Sequence, residues 1–134
     1  MLLNFPVDVD LAAKNISSFI RKTYFSYSTV FSNLLNIDVR FKMENLQVTG
    51  SFKARGAVNK LLSLDREYRR KGVVSASTGN HGAAVAYAAQ KLSIKCSIFV
   101  PNDVSEAKLQ NIKNYGAKIE VYGEDCVESE KKAR

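Results

Sequence analysis

With 134 residues, the chain has room for one ordinary domain. Hydrophobic residues at 46% and charged residues at 25% exclude a disordered chain, a collagen-like chain and a disulfide scaffold. The net charge of +7 would suit a nucleic-acid partner, but its basic clusters at 66–71 and 131–134 are interpreted as solvated helix segments, and no nucleic acid is expected.

The first third of the chain predicts helices and one strand. Acidic residues followed by apolar residues at near-helical spacing predict a helix over 8–20. The stretch 22–36 has a weak pattern, in which 29–36 could form a short helix. Apolar and charged residues alternate over 38–43, and this alternation predicts a half-buried strand.

A polar loop over 44–51 then leads into the next predicted helix. Ser51 ends the loop and is a candidate N-cap, because its hydroxyl can accept a hydrogen bond from the first helical turn. The apolar stripe that follows predicts a helix over 52–64.

From Gly72 onward the chain alternates between strands and helices. Short apolar runs without clean alternation predict strands that are covered on both faces, at 72–77, 95–101 and 118–122. Helices are predicted at 83–92, at 105–115 with Ser105 as its cap, and from 128 onward. Strand, helix, strand, helix and strand within about 50 residues predict an α/β fold with a parallel sheet and right-handed crossovers.

The cysteines and the termini bear on compartment. Two cysteines without CxxC spacing and a single histidine leave no zinc cluster to build, so no metal is expected, and the thiols suit a reduced cytoplasmic protein. No apolar run approaches the roughly 20 residues that span a bilayer, so no membrane partner is expected. The start, MLLNFPVDVD, turns acidic where a signal peptide would be apolar, so no export signal is expected.

The most informative turn joins the first of these strands to its helix. Ser77, Thr78, Gly79 and Asn80 lie where a strand delivers the chain to a helix N-terminus. Unpaired backbone N–H groups and the positive end of the helix dipole suit an anion of carboxylate or phosphate size there. The alternative is that these residues only make the turn and cap the helix.

Two further side chains could carry chemistry. His81 follows the turn directly, although a lone histidine is more often structural. Lys53 begins a predicted helix, where the positive end of the dipole favours the neutral amine that Schiff-base chemistry with an aldehyde requires. The alternative for Lys53 is a solvated lysine on a first helical turn.

Taken together, two segments carry a resemblance. TGSFKARGA at 49–57 and ASTGNHG at 76–82 resemble the fold-type II pyridoxal-phosphate enzymes, specifically the group of threonine/serine dehydratases and serine racemases. The resemblance extends from about Thr23 to the last residue and includes the strand Phe41-Lys42-Met43-Glu44. It implies the tryptophan synthase β-like fold and pyridoxal 5'-phosphate as the cofactor.

The resemblance implies a role for each matched residue near the cofactor. Lys53 would hold the cofactor aldehyde covalently and later carry the Cα proton of the substrate. Phe52 would pack against the pyridine ring, and Asn80 would hydrogen-bond its phenolic oxygen. Thr78 stands where many relatives have serine, and its hydroxyl would be a second acid–base group opposite Lys53.

A second set of roles concerns the substrate. The resemblance implies that the substrate carboxylate is surrounded by Ser77, Thr78, Asn80 and His81. Dehydratases and racemases have histidine after the Gly-Asn pair, whereas the β-replacing relatives tend to have threonine, so His81 favours elimination. The expected activity is dehydration of L-threonine or L-serine to a 2-oxo acid and ammonia.

Three alternatives stay open: serine racemase, a non-catalytic anion- or partner-binding module, and a nucleic-acid binder suggested only by the charge. The resemblance also implies a chain more than twice this long, with a glycine-rich phosphate site downstream. We therefore expect an N-terminal portion that is inactive alone and a complete protein that is a homo-oligomer. Residues 1–56 would begin the larger cofactor-binding domain, and 57–134 would form the smaller α/β domain.

Overall fold

The computed structural model describes residues 5–134. The first four residues, part of the N-terminal stretch in which no export signal is expected, lie outside this range. The helices are α1 Phe5–Ile16, α2 Thr29–Leu35, α3 Lys53–Leu62, α4 Arg66–Lys71, α5 Asn80–Lys91, α6 Glu106–Lys113 and α7 Cys126–Ala133. The strands are β1 Phe25–Tyr27, β2 Arg40–Lys42, β3 Val73–Ala76, β4 Cys96–Val100 and β5 Lys118–Val121, and Glu44–Leu46 form a 3-10 turn.

The predicted parallel sheet is confirmed in the order β3-β4-β5. Val73 lies beside Cys96, and Ser97 lies beside Lys118. α5 joins β3 to β4, and α6 joins β4 to β5, so each parallel pair is connected by a helix. β1 and β2 form a separate antiparallel pair in which Phe25 lies beside Lys42. The weak pattern before residue 36 had not predicted β1.

Small side chains allow α5 to pack closely in the centre of the fold. Every residue from Gly82 to Ala89 is buried, and five of these eight are alanines. α5 packs along α3 on one side and against β4 on another. The core is completed by Val58 of α3, Ile98 and Val100 of β4, and Ile112 of α6, all fully buried. Burial of such apolar surface is the main source of stability in a domain of this size.

Two expectations about burial are wrong. Phe41 was expected on the inner face of a half-buried strand, yet all three residues of β2 are exposed. Among residues 5–134, β2 pairs only with β1, and β1 is exposed as well, so nothing covers the strand pair. β3 was expected to be covered on both faces, yet Val74 is 53% exposed. β3 is an edge strand in the described residues, where apolar side chains lose the cover that a central strand has.

Helix ends also differ from the patterns in detail. The first helix ends at Ile16, whereas its apolar spacing had suggested Ile20. Ser105 does occupy the N-cap of α6, although its hydroxyl makes no capping hydrogen bond. α4 carries the basic cluster 66–71, and Arg69 donates to the carbonyls of Leu62 and Leu64, which joins this cluster to the end of α3. In the range that the structure describes, no helix has both the length and the apolar character to cross a membrane.

Candidate functional site

Lys53 is the first residue of α3, and the loop before it is tightly turned. Gly50 has φ +73°, a left-handed conformation that other residues rarely adopt. Ser51 was expected to be the N-cap of α3, but Phe52 occupies that position, and the buried Ser51 hydroxyl accepts a hydrogen bond from the Lys53 backbone N–H at 3.3 Å, one residue before the cap. This local geometry leaves the Lys53 side chain on the surface at the helix start.

The Lys53 amine lies against an exposed aromatic ring. Its Nζ is 5.0 Å from the centroid of the Phe52 ring, which is itself 59% exposed. A large apolar ring is usually buried, so an exposed one beside a lysine is a flat surface available to another planar group.

The turn after β3 continues the sheet before it enters α5. The Ser77 backbone N–H donates to the Phe99 carbonyl at 3.2 Å, which adds one more link beyond the last residue pair of the ladder. The Gly79 N–H then donates to the Ser77 hydroxyl at 3.3 Å, and α5 begins at Asn80. The first N–H groups of α5 have no partner within the helix and point toward the turn, as an anion site requires.

A close backbone approach fixes this turn against α5. A Cβ atom placed on Gly82 would lie 2.5 Å from the Ser77 carbonyl oxygen. Only a residue without a side chain permits that distance, because a methyl group cannot approach a carbonyl oxygen so closely. Gly82 therefore sets the distance between the turn and the first turn of α5.

His81 senses both its partial burial and the nearby lysine. The pKa of His81 is lowered from its ordinary value of 6.5, first by burial and second by the positive charge of Lys53. His81 itself remains exposed, so its burial is partial and water reaches the ring. The lowered pKa favours the neutral imidazole, which can both donate and accept a hydrogen bond.

The structure thus brings several of the sequence-predicted residues to one face. The charge of Lys53 reaches His81 at the start of α5. Ser77 and Asn80 lie in the same turn, with the half-buried Thr78 between them. The roles assigned to Lys53 and Thr78 as catalytic groups, and to the others as cofactor and substrate ligands, stay predictions.

Sequence reasoning missed one ionic cluster beside this face. Arg55 binds both carboxylate oxygens of Glu44, and Thr23 donates to the same carboxylate at 2.6 Å. The hydrogen bond from Arg55 is the main cause of the low pKa of Glu44, which falls from 4.5 to about 2. The residues are 11 and 21 positions apart, so no helical or strand period connects them. Glu44 and Arg55 were noted only as letters of the matched segments.

A cavity of about 530 Å³ lies beside the predicted site, between α3, α4 and the free edge of β3. Apolar residues such as Leu61, Leu64 and Val85 line much of it. His81 contributes to the lining, but among the described residues Lys53, Ser77, Thr78 and Asn80 do not. The cavity is therefore a neighbour of the polar face and does not contain it.

Sequence comparison with known proteins finds relatives that match most of this chain. The chain is 45% identical over 112 residues to a serine racemase from Dictyostelium discoideum, covering 84% of this chain and 35% of the relative. It is 40% identical over 116 residues to an L-threonine ammonia-lyase from Thermotoga maritima, covering 87% of this chain and 29% of the relative. The chain therefore spans about a third of the length of these relatives.

Solved structures agree with the sequence relatives. The processed form of threonine deaminase isoform 2 from Solanum lycopersicum superimposes with a TM-score of 0.89 at 31% identity, covering 96% of this chain and 38% of that one. This likeness confirms the expected fold class, of which the described residues form a part. Residues 16–134 match the model of the family described as pyridoxal-phosphate dependent enzyme. With most of its length inside that match, the chain belongs to the pyridoxal-phosphate dependent enzymes, and the relatives it resembles there include a serine racemase and an L-threonine ammonia-lyase.

Proposed function

We propose that the whole protein is an ammonia-lyase that dehydrates L-threonine or L-serine to a 2-oxo acid and ammonia. One observation carries the proposal: the exposed Lys53 is the first residue of α3, and α3 packs along α5, the helix that begins at the polar turn with Asn80 and His81. A lysine that can hold an aldehyde cofactor, beside a turn that suits a carboxylate, fits an amino-acid substrate, since the aldehyde would take the substrate nitrogen and the turn its carboxylate.

The residues present fit pyridoxal phosphate as the cofactor. Among residues 5–134, Lys53 has no carboxylate partner within ion-pair distance, which leaves its amine available to an aldehyde. The exposed Phe52 ring beside it offers a planar apolar contact to a pyridine ring. Asn80 is exposed at the start of α5 and has an amide donor for a phenolic oxygen.

The proposed work of the chain is binding and proton transfer. When bound, pyridoxal phosphate supplies an electron sink for the negative charge that develops at the substrate Cα. Lys53 would hold the cofactor and then take the Cα proton. The first N–H groups of α5, with the hydroxyls of Ser77 and Thr78, would hold the substrate carboxylate. A neutral His81 would add an N–H donor there without adding a positive charge.

Serine racemase is the second candidate, and a specific observation favours it: the relative from Dictyostelium discoideum, at 45% identity, is a serine racemase. A racemase needs an acid–base group on each side of Cα. Lys53 would be one such group, and the hydroxyl of Thr78 would be the second, opposite Lys53. The extra methyl group of threonine narrows that face, which favours dehydration. Chiral analysis of serine after incubation with the whole protein separates the two: D-serine indicates racemisation, and pyruvate with ammonia indicates dehydration.

The attachment lysine can be tested in the whole protein. The protein is incubated with pyridoxal phosphate and reduced with borohydride, and the modified lysine is located by mass spectrometry. We expect the adduct on Lys53 in preference to exposed lysines such as Lys91, and we expect Lys53→Ala to abolish that adduct while leaving the others. An adduct spread evenly over the surface lysines would instead support the alternative of a module that binds anions or partners without chemistry.

The remaining proposals concern the whole protein. We propose that residues 1–56 belong to its larger domain and 57–134 to its smaller one, which the separation of the β1–β2 pair from the parallel sheet supports. The two free cysteines support the cytoplasm as its compartment, and the exposed apolar residues near β1 and α2 support a homo-oligomer. Sequencing the source DNA past codon 134 shows whether the expected glycine-rich segment follows in frame.

A further inference from the structure

An ion pair joins the helix that begins with Lys53 to the turn that follows β2. Arg55 Nη2 lies 2.7 Å from Glu44 Oε1, and Arg55 Nε lies 3.0 Å from Glu44 Oε2. Two parallel hydrogen bonds of this kind fix the direction of the guanidinium plane as well as its distance. Lysine in place of arginine could not reproduce both bonds.

This pair is better shielded from water than the other ion pairs in the described residues. The side chains of Glu44 and Arg55 are 15% and 32% exposed, whereas each of the other pairs has at least one side chain that is more than half exposed. The buried Thr23 hydroxyl donates to Glu44 Oε1 at 2.6 Å, and Lys42 Nζ donates to the Thr23 carbonyl at 2.7 Å. Three segments of the chain therefore meet at one carboxylate.

The ion pair closes the loop that leads to Lys53. Glu44 stands at the beginning of that loop and Arg55 in the first turn of α3, so the residues between them are held at both ends. Gln47 adds a second attachment inside the loop, since its side chain bonds to the backbone N–H and carbonyl of Arg21 at 2.8 and 3.0 Å. A loop restrained in this way has fewer conformations to lose when a ligand binds.

The position of Arg55 on the helix decides what the restraint acts on. Lys53 and Arg55 are two residues apart, so they leave the helix in nearly opposite directions at 100° per residue. Arg55 holds the back of the first turn while Lys53 projects from the front. The first turn of a helix is where fraying is easiest, because its N–H groups lack intrahelical partners.

We propose that Glu44 and Arg55 are positioning residues for Lys53: their ion pair fixes the first turn of α3, and thereby the direction in which the Lys53 amine meets a cofactor aldehyde. This inference rests on the proposed function of Lys53. The pair touches neither cofactor nor substrate, and it acts only through the helix turn that it shares with the lysine.

The test measures where pyridoxal phosphate attaches to the whole folded protein, which includes the segment expected downstream of residue 134. After borohydride reduction, mass spectrometry gives the ratio of the adduct on Lys53 to the adduct on Lys91, an exposed lysine at the end of α5. We expect Arg55→Lys and Glu44→Gln each to lower this ratio by about tenfold, because a displaced amine loses its alignment. The double variant should lower it no further than either single change, since the two side chains act as one unit.

Two controls separate positioning from stability. Glu106→Gln removes an exposed ion pair with Lys113 on α6 and should leave the ratio unchanged. Ser129→Ala removes a buried hydroxyl that donates to the Tyr122 carbonyl at 2.7 Å and should lower the thermal midpoint while leaving the ratio unchanged. Circular dichroism confirms that each variant is folded at the labelling temperature, and if Glu44→Gln is not, Arg55→Lys is the deciding variant because it keeps the charge.

The outcomes distinguish the inference from the function on which it rests. If the ratio of the Lys53 adduct to the Lys91 adduct stays at the wild-type level in a folded Arg55→Lys variant, the positioning role is overturned and Lys53 remains the attachment residue. A wild-type whole protein with no preference for Lys53 over Lys91 overturns the proposed function, and the positioning role with it. Selective labelling of Lys53 that is lost in the ion-pair variants and kept in both controls supports the inference.

Discussion

Substituting alanine for Gly82 tests whether the close approach between α5 and the polar turn is real. The added Cβ would lie 2.5 Å from the Ser77 carbonyl oxygen, 3.2 Å from Ile112 Cδ1 and 3.4 Å from Ile98 Cγ2. The two isoleucine methyl groups can rotate away from a new neighbour. The carbonyl oxygen belongs to the backbone, and it can give way only if the turn moves.

The expected magnitude follows from that distance. Carbon and carbonyl oxygen normally approach no closer than about 3.3 Å, so the turn and α5 must separate by roughly 0.8 Å. Overpacking of this kind costs about 3 kcal/mol at the upper end of its usual range. Replacing glycine by alanine within a helix returns about 1 kcal/mol, so we expect Gly82→Ala to destabilise the chain by about 2 kcal/mol.

Gly56→Ala is the matched control. Gly56 lies inside α3, and nothing lies within 4 Å of the position that its Cβ would take. This variant should gain about 1 kcal/mol from helix propensity alone. Urea denaturation of the two variants should therefore give opposite signs, about 3 kcal/mol apart. Equal or greater stability of Gly82→Ala relative to wild type would refute the close approach.

Three further predictions concern single groups. The pKa of Glu44 is about 2 in the folded chain and 4.5 as its ordinary value, so its ion pair stabilises the chain fully above pH 4.5 and loses that contribution as the pH falls toward 2. Urea titrations should show that the free energy of unfolding falls by roughly 2 kcal/mol across this pH window. If Glu44→Gln keeps the same dependence of stability on pH as the wild-type chain, the assignment to Glu44 is contradicted. Burial raises the pKa of the Cys96 thiol to about 11, so iodoacetamide at pH 8 should alkylate the exposed Cys126 more than about tenfold faster by mass spectrometry; comparable rates would show that Cys96 is not buried. Tyr87→Phe removes the donor to the Phe19 carbonyl and should cost about 1 kcal/mol in thermal unfolding, whereas an unshifted midpoint would mean that the bond contributes nothing.

The second half of the fold was predictable because its signals are local. Each apolar run from Val73 onward is a strand, and each intervening stripe is a helix, so the period and the turn residues were sufficient to give the parallel sheet. A glycine stop at Gly116 was expected for α6, but the helix ends at Lys113 with Asn114 as its C-cap, and the left-handed Gly116, φ +75°, follows two residues later. The polar turn at Ser77 to Asn80 followed from the same logic, because a strand that runs into a helix must pass through its N-terminus.

The first half resisted prediction because its interactions are distant in sequence. β1 is three residues long and fully exposed, so it has no alternation to detect. The pairing of Glu44 with Arg55 and Thr23 depends on how the loop folds back, which no periodic pattern encodes. The close approach at Gly82 was equally hidden, since a glycine in an alanine-rich helix looks the same whether or not a carbonyl lies against it.

The pairing of neighbouring strands has a consequence for how the chain is made. In the described residues, β1 pairs with β2, β3 with β4 and β4 with β5, so each pair joins two strands that are consecutive in the chain. Partners that are consecutive in the chain cost less entropy to bring together than partners at its two ends. Because domains fold from the N-terminus as they leave the ribosome, the sheet can assemble strand by strand behind translation. Val58 and its neighbours on α3 are then already present when α5 emerges and needs a surface to cover its alanines.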